Sequence, residues 1–345
     1  MSDSAAAGGG DRPHGMKTAP TTYAGALRDA MDQALQADPG VVLYGIGADG
    51  ASGIFGTTKG LAERHGGHRV FDVPIAEQAL TGLAGGAANA GLRPVLVHQR
   101  LDFMLYGVDM LVNWLSMWRF ISGGQAKLPL TIRAIVGKGW GQGPQHSKSL
   151  HAWFAHVPGL QVVMPATPAD AKGLLLASIF SDDPTLVIEG RQLYSMTEEV
   201  PVEPYRLRLG KAAVRRAGDD VTLVAIGAMV PEALAAAERL AEAGIAAEVV
   251  DLRCLAPLDL DTVIASVRHT GRLVVADPGW QRFGAAAEIV AAVAEALGPE
   301  LKARPVRVTW PQSHSPTSAH LEGAFYPGAA EIEAAARIAV GRKDG

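Results

Sequence analysis

Short apolar runs alternate with longer segments of helical periodicity along most of the chain. The first pair is a segment from Thr22 to Leu35, with apolar residues three or four positions apart, followed by the continuous run Val41–Tyr44. A continuous apolar run is typical of a parallel strand that is buried on both faces, whereas the wider spacing is typical of a helix. Repetition of this pair predicts an α/β fold whose parallel sheets are covered by helices.

The same pattern predicts the other elements. Strands are predicted at Arg69–Val73, Pro94–Val97, Leu130–Val136, Gln161–Pro165, Thr185–Ile188, Val221–Ile226, Ala247–Leu252 and Leu273–Ala276. Helices are predicted at Glu77–Ala90, Phe103–Phe120, Ala169–Phe180, Val230–Ala243, Leu260–Val267 and Ala285–Leu297. A glycine-rich loop, Gly137–Pro144, follows one of the strands and interrupts the alternation.

The order of these elements divides the chain into two domains. A length of 345 residues suits two domains of the usual size, about 100–200 residues each. The proline-containing stretch from Glu198 to Tyr205 separates two series of strands and helices. We therefore expect a disordered tail at 1–20, a first domain at 21–197, a linker at 198–205 and a second domain at 206–342.

Composition and charge exclude several classes of function. The net charge of −4, with no basic run longer than Arg215-Arg216, gives no sign of a nucleic-acid or anionic-membrane partner. The single cysteine, Cys254, excludes an intrachain disulfide and a cysteine metal cluster, and it is expected to pack in a core. No apolar run reaches the roughly 20 residues that span a bilayer, and the N-terminal residues lack the apolar centre of a signal peptide. The protein is therefore expected in the cytoplasm.

Candidate chemistry follows the predicted strands, because ligands of parallel sheets bind at the carboxyl ends of the strands. Glu77 opens a helix after the strand Arg69–Val73 and has apolar neighbours at Ile75 and Leu80. One interpretation is a carboxylate that stabilises the helix N-terminus by about 0.3–1 kcal/mol. The other is a carboxyl group in an apolar environment, which shares a proton with a ligand nitrogen.

Two further polar segments follow strands. One is the run from His98 to Phe103, and the other is Gln145-His146-Ser147 at the end of the glycine-rich loop. That loop has neither the G-x-x-x-x-G-K-[ST] order of a P-loop nor the G-x-G-x-x-G order of a dinucleotide site. Taken singly, the first segment is equally consistent with a solvated loop, and His146 with a structural histidine.

Several motifs occur in one order over about Thr22 to Val340. They are RVFDVPIAE at 69–77, TGLAGGAANAGLRP at 81–94, QHS at 145–147, PGL at 158–160, VVMP at 162–165, DAKGL at 170–174, VVDLR at 249–253, PLD at 257–259 and GAAAEI at 284–289. In this order they resemble the β subunits of 2-oxo acid dehydrogenase E1 components, which include pyruvate, branched-chain and acetoin-type enzymes. The resemblance implies a transketolase-like pyrimidine-binding domain followed by a transketolase C-terminal domain.

The resemblance also implies a cofactor and roles for three residues. Glu77 would hydrogen-bond N1′ of the aminopyrimidine of thiamine diphosphate, Phe103 would pack against that ring, and His146 would assist the substrate or acyl transfer. The superfamily binds the diphosphate and Mg²⁺ through a G-D-G…N segment, whereas the nearest segment here is Gly47-Ala48-Asp49-Gly50, without a suitably spaced asparagine. An α subunit is therefore expected to supply that half of the site in an α2β2 heterotetramer. The resemblance further implies a K⁺ site around Ser181–Asp183.

Two departures from the family bear on the reaction. Ile46 stands where family members commonly have an acidic residue that links the paired active sites. His98 and Arg100 stand in a segment that is mostly apolar or small in the pyruvate and branched-chain subunits. We expect His98, Arg100 and His146 to contact an anionic or hydroxylated substrate at an open mouth of the site. A surface ion pair with Asp102 is the alternative for Arg100.

Three functions agree with these observations. The first is oxidative decarboxylation of a 2-oxo acid, with transfer of the acyl unit to a lipoyl acyltransferase partner. The second is a transketolase-like carboligation that moves a two-carbon or acyl unit, for example from a ketose, to a sugar-like acceptor. The third is a non-catalytic regulatory or scaffold subunit. The joint presence of Glu77, Phe103 and His146 argues against the third, and the family resemblance favours the first.

Overall fold

The computed structural model describes residues 15–341, which fold into two compact units, 15–209 and 210–341. Both units contain parallel sheets with helices, so the predicted α/β class is confirmed. Of the predicted tail at 1–20, residues 1–14 lie outside the described residues, and residues 18–20 form part of a strand rather than a tail. None of the helices within 15–341 is long and apolar enough to cross a membrane.

The first unit is organised around one parallel sheet. Its strands are β1 Thr18–Thr22, β2 Val41–Gly45, β3 Val70–Phe71, β4 Arg93–His98, β5 Thr131–Val136, β6 Gln161–Val163, β7 Thr185–Gly190 and β8 Thr197–Pro201. Its helices are α1 Tyr23–Ala37, α2 Leu61–His65, α3 Glu77–Asn89, α4 Leu101–Met104, α5 Val108–Met110, α6 Trp118–Ile121, α7 His151–Ala155 and α8 Pro168–Ile179. In the parallel sheet β6, β7, β5, β4, β2 and β3 lie side by side in that order. All six residues of β5 are buried, which explains its continuous apolar pattern.

The predicted linker belongs to the first unit. Its first residues lie in β8, which pairs antiparallel with β1. Its last residue, Tyr205, is buried and donates from its hydroxyl to the backbone carbonyl of Ala169 in α8 at 2.5 Å. The prediction of a linker at 198–205 is therefore wrong. The prolines that suggested a flexible connection lie at the end of an edge strand and in a segment packed on α8.

The predicted helix Phe103–Phe120 is interrupted. In its place α4, a 3-10 turn at Leu105–Gly107, α5, a π-helical turn at Leu111–Leu115 and α6 follow one another. A Cβ atom at Gly107 would lie 2.6 Å from Thr81 Oγ1 in α3, so only glycine allows the chain to pass this close. The apolar periodicity is helical, but packing on α3 tightens one turn and widens another.

The second unit contains a parallel sheet with one antiparallel edge strand. Its strands are β9 Ala213–Arg216, β10 Val221–Ala225, β11 Ala247–Asp251, β12 Cys254–Ala256, β13 Leu273–Trp280 and β14 Val306–Trp310. Its helices are α9 Met229–Glu242, α10 Leu260–Thr270, α11 Ala285–Leu297, α12 Ala319–Phe325 and α13 Ala329–Ala339. The sheet order is β14, β13, β10, β11, β9, and β9 is the antiparallel member. Cys254 is buried as expected, and burial raises the pKa of its thiol to about 11.

Candidate active site

The candidate residues lie where parallel strands of the first unit end. Glu77 opens α3 after β3, His98 is the last residue of β4, and Gly137 begins the glycine-rich loop after β5. Neighbouring parallel strands end at the same edge of a sheet, so these segments emerge at one edge, as predicted.

Glu77 is the first residue of α3 and is half-buried. The hydroxyl of Thr81, one turn later, donates to the Glu77 backbone carbonyl at 2.7 Å. Of the two apolar neighbours expected beside the Glu77 carboxyl, Leu80 is buried, whereas Ile75 is 78% exposed. An apolar environment around this carboxyl therefore stays a prediction.

Phe103 lies close to the helix that carries Glu77. The 3-10 turn after α4 packs on the first turn of α3, so that a Cβ atom at Gly107 would lie 3.3 Å from the Glu77 carbonyl oxygen. Phe103 is in α4, just before this turn, and its ring is partly exposed. The structure therefore brings the predicted carboxyl and the predicted aromatic residue onto neighbouring turns of the chain.

His146 contacts Phe103. The two rings meet edge to face, with 5.4 Å between their centroids and 83° between their planes. On its other side, His146 Nδ1 lies 3.0 Å from the backbone carbonyl oxygen of Gln142. A carbonyl oxygen only accepts hydrogen bonds, so Nδ1 carries the proton and the lone pair of Nε2 stays available. In the neutral tautomer that this contact selects, the basic ring nitrogen is Nε2.

His98 is buried instead of lying at an open mouth. It is only 5% exposed, and its Nε2 has no hydrogen-bond partner within 15–341. Burial lowers the pKa of His98 from 6.5 to about 4, so its imidazole is neutral at pH 7. The substrate contact expected of His98 stays a prediction, and the side chain is covered because β4 is a central strand of the sheet.

Arg100 is half-buried and is bonded within the chain. Its Nη1 donates to the Gln99 carbonyl at 2.5 Å and its Nη2 donates to Gln142 Oε1 at 2.7 Å. Its Nε is buried without a partner among the described residues. Asp102 is instead bound by Lys148 Nζ at 3.0 Å. The alternative surface pair of Arg100 with Asp102 is therefore not formed, and Arg100 is tied to the glycine-rich loop.

Phe55, Trp140 and Arg191 complete this site and were not predicted. The guanidinium of Arg191 lies 4.8 Å from the ring centroid of Phe55 and 5.4 Å from that of Trp140, and Arg100 lies 5.0 Å from Phe55. Burial, followed by the nearby charge of Arg191, lowers the pKa of Arg100. Phe55 and Trp140 have left-handed φ angles of 48° and 56°, which bulky residues rarely adopt. Glycines close to both residues were the signal that could have drawn attention to them.

The stretch from Tyr106 to Ile121 exposes large apolar side chains. Tyr106 is 76% exposed and Phe120 is 89% exposed, and Trp114, Met117 and Ile121 are exposed as well. We call these residues the exposed apolar segment. Concentrated apolar exposure of this kind is typical of a surface that contacts another molecule.

The residues present fit the pyrimidine half of thiamine diphosphate. An aminopyrimidine needs a carboxyl group at a ring nitrogen and an apolar surface for its ring, and Glu77 and the partly exposed Phe103 provide both. For the diphosphate half, residues 15–341 contain no group of three or more His, Cys, Asp or Glu side chains placed to hold a metal ion.

Two family models match most of the chain. The transketolase pyrimidine-binding domain matches residues 19–197, and the transketolase C-terminal domain matches residues 210–332. The second match begins at the first residue of the second structural unit. The predicted pair of transketolase-like domains is therefore confirmed.

Individual relatives are similar over nearly the whole chain. The β subunit of acetoin:2,6-dichlorophenolindophenol oxidoreductase from Cupriavidus necator is 44% identical over 90% of this chain and 95% of its own. The mitochondrial pyruvate dehydrogenase E1 component subunit β-1 from Arabidopsis thaliana is 40% identical over 92% of this chain and 89% of its own. A solved structure described as a split gene transketolase, inactive β4 tetramer, is 26% identical with a TM-score of 0.76, over 96% of this chain and 100% of its own.

The family models, the ordered motifs and the full-length relatives agree with one another. They also agree with the two units built on parallel sheets. The chain belongs to the β subunits of the 2-oxo acid dehydrogenase E1 components, a thiamine-diphosphate-dependent family whose β subunits have an α-subunit partner.

Proposed function

We propose that this chain provides the pyrimidine-binding half of an active site that decarboxylates a 2-oxo acid and transfers the acyl unit to the lipoyl group of an acyltransferase partner. The observation that carries the proposal is the contact between His146 and Phe103 beside the first turn of α3, which holds Glu77. A carboxyl group, an aromatic ring and a basic imidazole nitrogen thus lie together at one edge of the sheet.

Each of these residues has a separate task in the proposed reaction. Glu77 hydrogen-bonds N1′ of the aminopyrimidine and exchanges a proton with it. Phe103 packs against that ring and fixes its orientation. Nε2 of His146 accepts or donates a proton at the substrate, because Nδ1 is bonded to Gln142. Thiamine diphosphate, when bound, supplies the electron sink for decarboxylation.

The proposal includes an α2β2 assembly in which the α subunit holds the diphosphate and its Mg²⁺. The exposed apolar segment supports a large protein contact on the same stretch of chain that follows Phe103.

A K⁺ ion around Ser181–Asp183 belongs to the same proposal, although the Ser181 carbonyl already accepts from Arg93 Nη1 at 3.2 Å. The cytoplasmic location stays a prediction, since one relative is named as mitochondrial.

A transketolase-like carboligation is the second candidate function. The observation that favours it is the guanidinium of Arg191, which lies over Phe55 and Trp140 and has no ion pair with a carboxylate of the described residues. A guanidinium of this kind is better suited to bind a phosphorylated or polyhydroxylated acceptor than to bind the acyl group of a small 2-oxo acid. The similarity to the split gene transketolase agrees with this candidate as well.

Half-reactions of the complex with its α subunit separate the candidates. The complex, thiamine diphosphate and Mg²⁺ are mixed with 2-oxo acids of increasing size, and CO₂ release is followed with an artificial electron acceptor and with a lipoyl domain. Turnover in both assays supports the proposed dehydrogenase. Turnover only with a ketose donor and an aldose acceptor supports the carboligase and contradicts the first proposal. A complex without turnover in any assay contradicts both and leaves the non-catalytic subunit.

A further inference from the structure

We infer that Arg100 is a positioning residue for His146 and acts through Gln142. Its guanidinium holds the Gln142 side chain, and the Gln142 backbone carbonyl holds the proton of His146 on Nδ1. The inference deepens the proposed function and rests on it for the catalytic use of His146. It replaces the expectation that Arg100 contacts the substrate.

The loop that carries Gln142 needs an anchor. Gly139, Gly141 and Gly143 all have left-handed φ angles, of 83°, 68° and 63°, and Trp140 is left-handed as well. Glycine gains most conformational freedom when a loop opens, so a loop of this composition is not held by its own backbone preferences. Within the loop the Gln142 N–H donates to the Gly139 carbonyl at 3.2 Å, and a side-chain contact from outside the loop adds to this bond in fixing the direction of the Gln142 carbonyl.

Arg100 provides that anchor. Its own position is fixed by the Nη1 bond to the Gln99 carbonyl and by the Phe55 ring, 5.0 Å from the guanidinium carbon. Its Nη2 donates to Gln142 Oε1 at 2.7 Å, the distance of a strong charge-assisted bond. The amide of Gln142 also lies against Gly137, where a Cβ atom would be 3.1 Å from Oε1. The Gln142 side chain is therefore held from two sides.

The anchored residue sets the tautomer of His146. Because the Gln142 carbonyl oxygen can only accept, the 3.0 Å contact requires a proton on Nδ1. The ring nitrogen that carries the proton is set by the hydrogen bond that the ring makes, so loss of this contact frees the other tautomer. With the proton on Nδ1, Nε2 is the basic nitrogen, so it can accept a proton from the substrate and later return the same proton.

The hydrogen bonds that Arg100 makes within the chain favour a positioning role. Nη1 and Nη2 are both bonded within the chain, and Nε, although it has no partner among the described residues, is buried. These two bonds already hold the guanidinium against the chain and against Gln142, which is what positioning of the loop requires.

The first test reads the tautomer directly, without cofactor or turnover. Nitrogen-15 spectra of the histidine side chains in the full chain distinguish Nδ1–H from Nε2–H, and His146→Gln identifies the His146 signal. We expect Nδ1–H in the wild type, a shift toward Nε2–H in Arg100→Ala and Gln142→Ala, and the wild-type signal in Gln142→Glu, whose carboxylate still accepts from Arg100. The control Arg304→Ala, at an exposed arginine of the second unit, should leave the signal unchanged.

The second test is a double-mutant cycle in the complex with the α subunit. If Arg100 acts through Gln142, each single alanine variant should lower kcat by about 10-fold with little change in KM, because misplacement of one catalytic group affects the chemical step. The double variant should be no worse than either single variant, since both remove the same contact. A rise of KM confined to Arg100→Ala, with additive effects in the double variant, means a substrate contact and overturns the inference.

The two tests also separate failure of this inference from failure of the proposed function. A His146 signal that does not change in Arg100→Ala and Gln142→Ala, in chains with wild-type circular dichroism, overturns the inference whatever the turnover. A signal that changes as expected supports the inference that Arg100 sets the tautomer of His146 through Gln142. This holds even if the wild-type complex decarboxylates no 2-oxo acid, in which case the proposed function alone is wrong.

Discussion

Glu77 stands at the start of α3 with its carboxyl only half-buried, and its substitution tests the proposed chemistry most directly. Glu77→Gln is expected to lower turnover by about 10²–10⁴-fold, because an amide cannot exchange the proton that the aminopyrimidine nitrogen requires. Steady-state rates of the complex with the α subunit measure the loss. Circular dichroism of the variant chain is expected to match that of the wild type.

Glu288→Gln is the matched control for Glu77→Gln. Glu288 is an exposed carboxylate in the first turn of α11 in the second unit. If Glu77 only stabilised its helix N-terminus, both substitutions would change the free energy of unfolding by about 0.3–1 kcal/mol and leave turnover unchanged. More than roughly a tenth of the wild-type rate in Glu77→Gln would show that Glu77 is not the proton-exchanging residue.

His98 makes the stability of the chain depend on pH. Burial lowers the pKa of His98 from 6.5 to about 4 in the folded chain. Between these values the unfolded chain binds a proton that the folded chain does not, so the free energy of unfolding falls as pH drops from about 6.5 to about 4. The full fall due to this residue is about 3 kcal/mol.

Denaturant titrations at pH 7 and pH 4.5 measure this dependence. His98→Gln should reduce the difference between the two titrations, since glutamine takes up no proton in this range. The control His156→Gln, at an exposed histidine, should leave the difference as it is in the wild type. An equal reduction in both variants would mean that the burial of His98 is not the cause.

The site residues differ in how far the sequence can predict them. Glu77, Phe103 and His146 follow from motifs whose order along the chain is that of the family. Arg191 and Phe55 are 136 positions apart in sequence (191 minus 55) and meet only through a guanidinium–ring contact in the folded unit. Such contacts leave no periodic or spaced pattern, so the sequence shows at most the nearby glycines that permit a left-handed backbone.

Close packing between two backbone segments of the first unit gives a further prediction. Gly159, in the PGL motif before β6, has φ +84°, and a Cβ atom there would overlap the backbone carbonyl of Ser116. Gly159→Ala is expected to lower the free energy of unfolding by about 2–5 kcal/mol, from the left-handed backbone and from the overlap together. Chemical denaturation followed by circular dichroism measures the change.

Gly124→Ala separates the two contributions. Gly124 has nearly the same φ, +81°, but a Cβ atom there meets nothing within 4 Å. Its substitution should therefore show only the backbone contribution, about 1–2 kcal/mol. Equal losses for Gly124→Ala and Gly159→Ala would mean that the segment around Ser116 moves aside and that its packing on the PGL motif is loose.

The elements show why some parts of the fold are predictable and others are not. Buried central strands such as β5 carry their own continuous apolar pattern, so their positions follow from the sequence. The interruption of Phe103–Phe120 depends on the approach of Gly107 to α3, which is a tertiary contact and leaves the helical periodicity intact. β1 and β8 were missed for a related reason, since they pair only with each other and neither contains a continuous apolar run.

The molecule as a whole is expected to bind its cofactor only together with the α subunit. Calorimetry should show weak binding of thiamine diphosphate and Mg²⁺ to the isolated chain and binding at about micromolar Kd or tighter to the complex. Phe120→Glu places a charge in the exposed apolar segment and should prevent both assembly and tight binding, because a charge is costly to bury at an interface.

Ile338→Glu is the matched control, since Ile338 is an exposed apolar residue of α13 in the second unit. Size-exclusion chromatography of co-expressed chains should show assembly for this control and for the wild type, but not for Phe120→Glu. Micromolar binding of the cofactor to the isolated chain would contradict the prediction that this chain supplies only half of the active site. An active assembly of this chain alone would contradict it as well.

The exposed apolar segment also has a consequence for how the enzyme is supplied in a cell. A surface that an α subunit covers in the proposed assembly is also open to a second copy of the same chain, so we expect surplus copies to associate with one another rather than to remain monomeric. Chains that have associated with one another in this way are not available for assembly with the α subunit. The yield of enzyme then follows the scarcer of the two gene products, and balanced synthesis of both matters more than abundant synthesis of one.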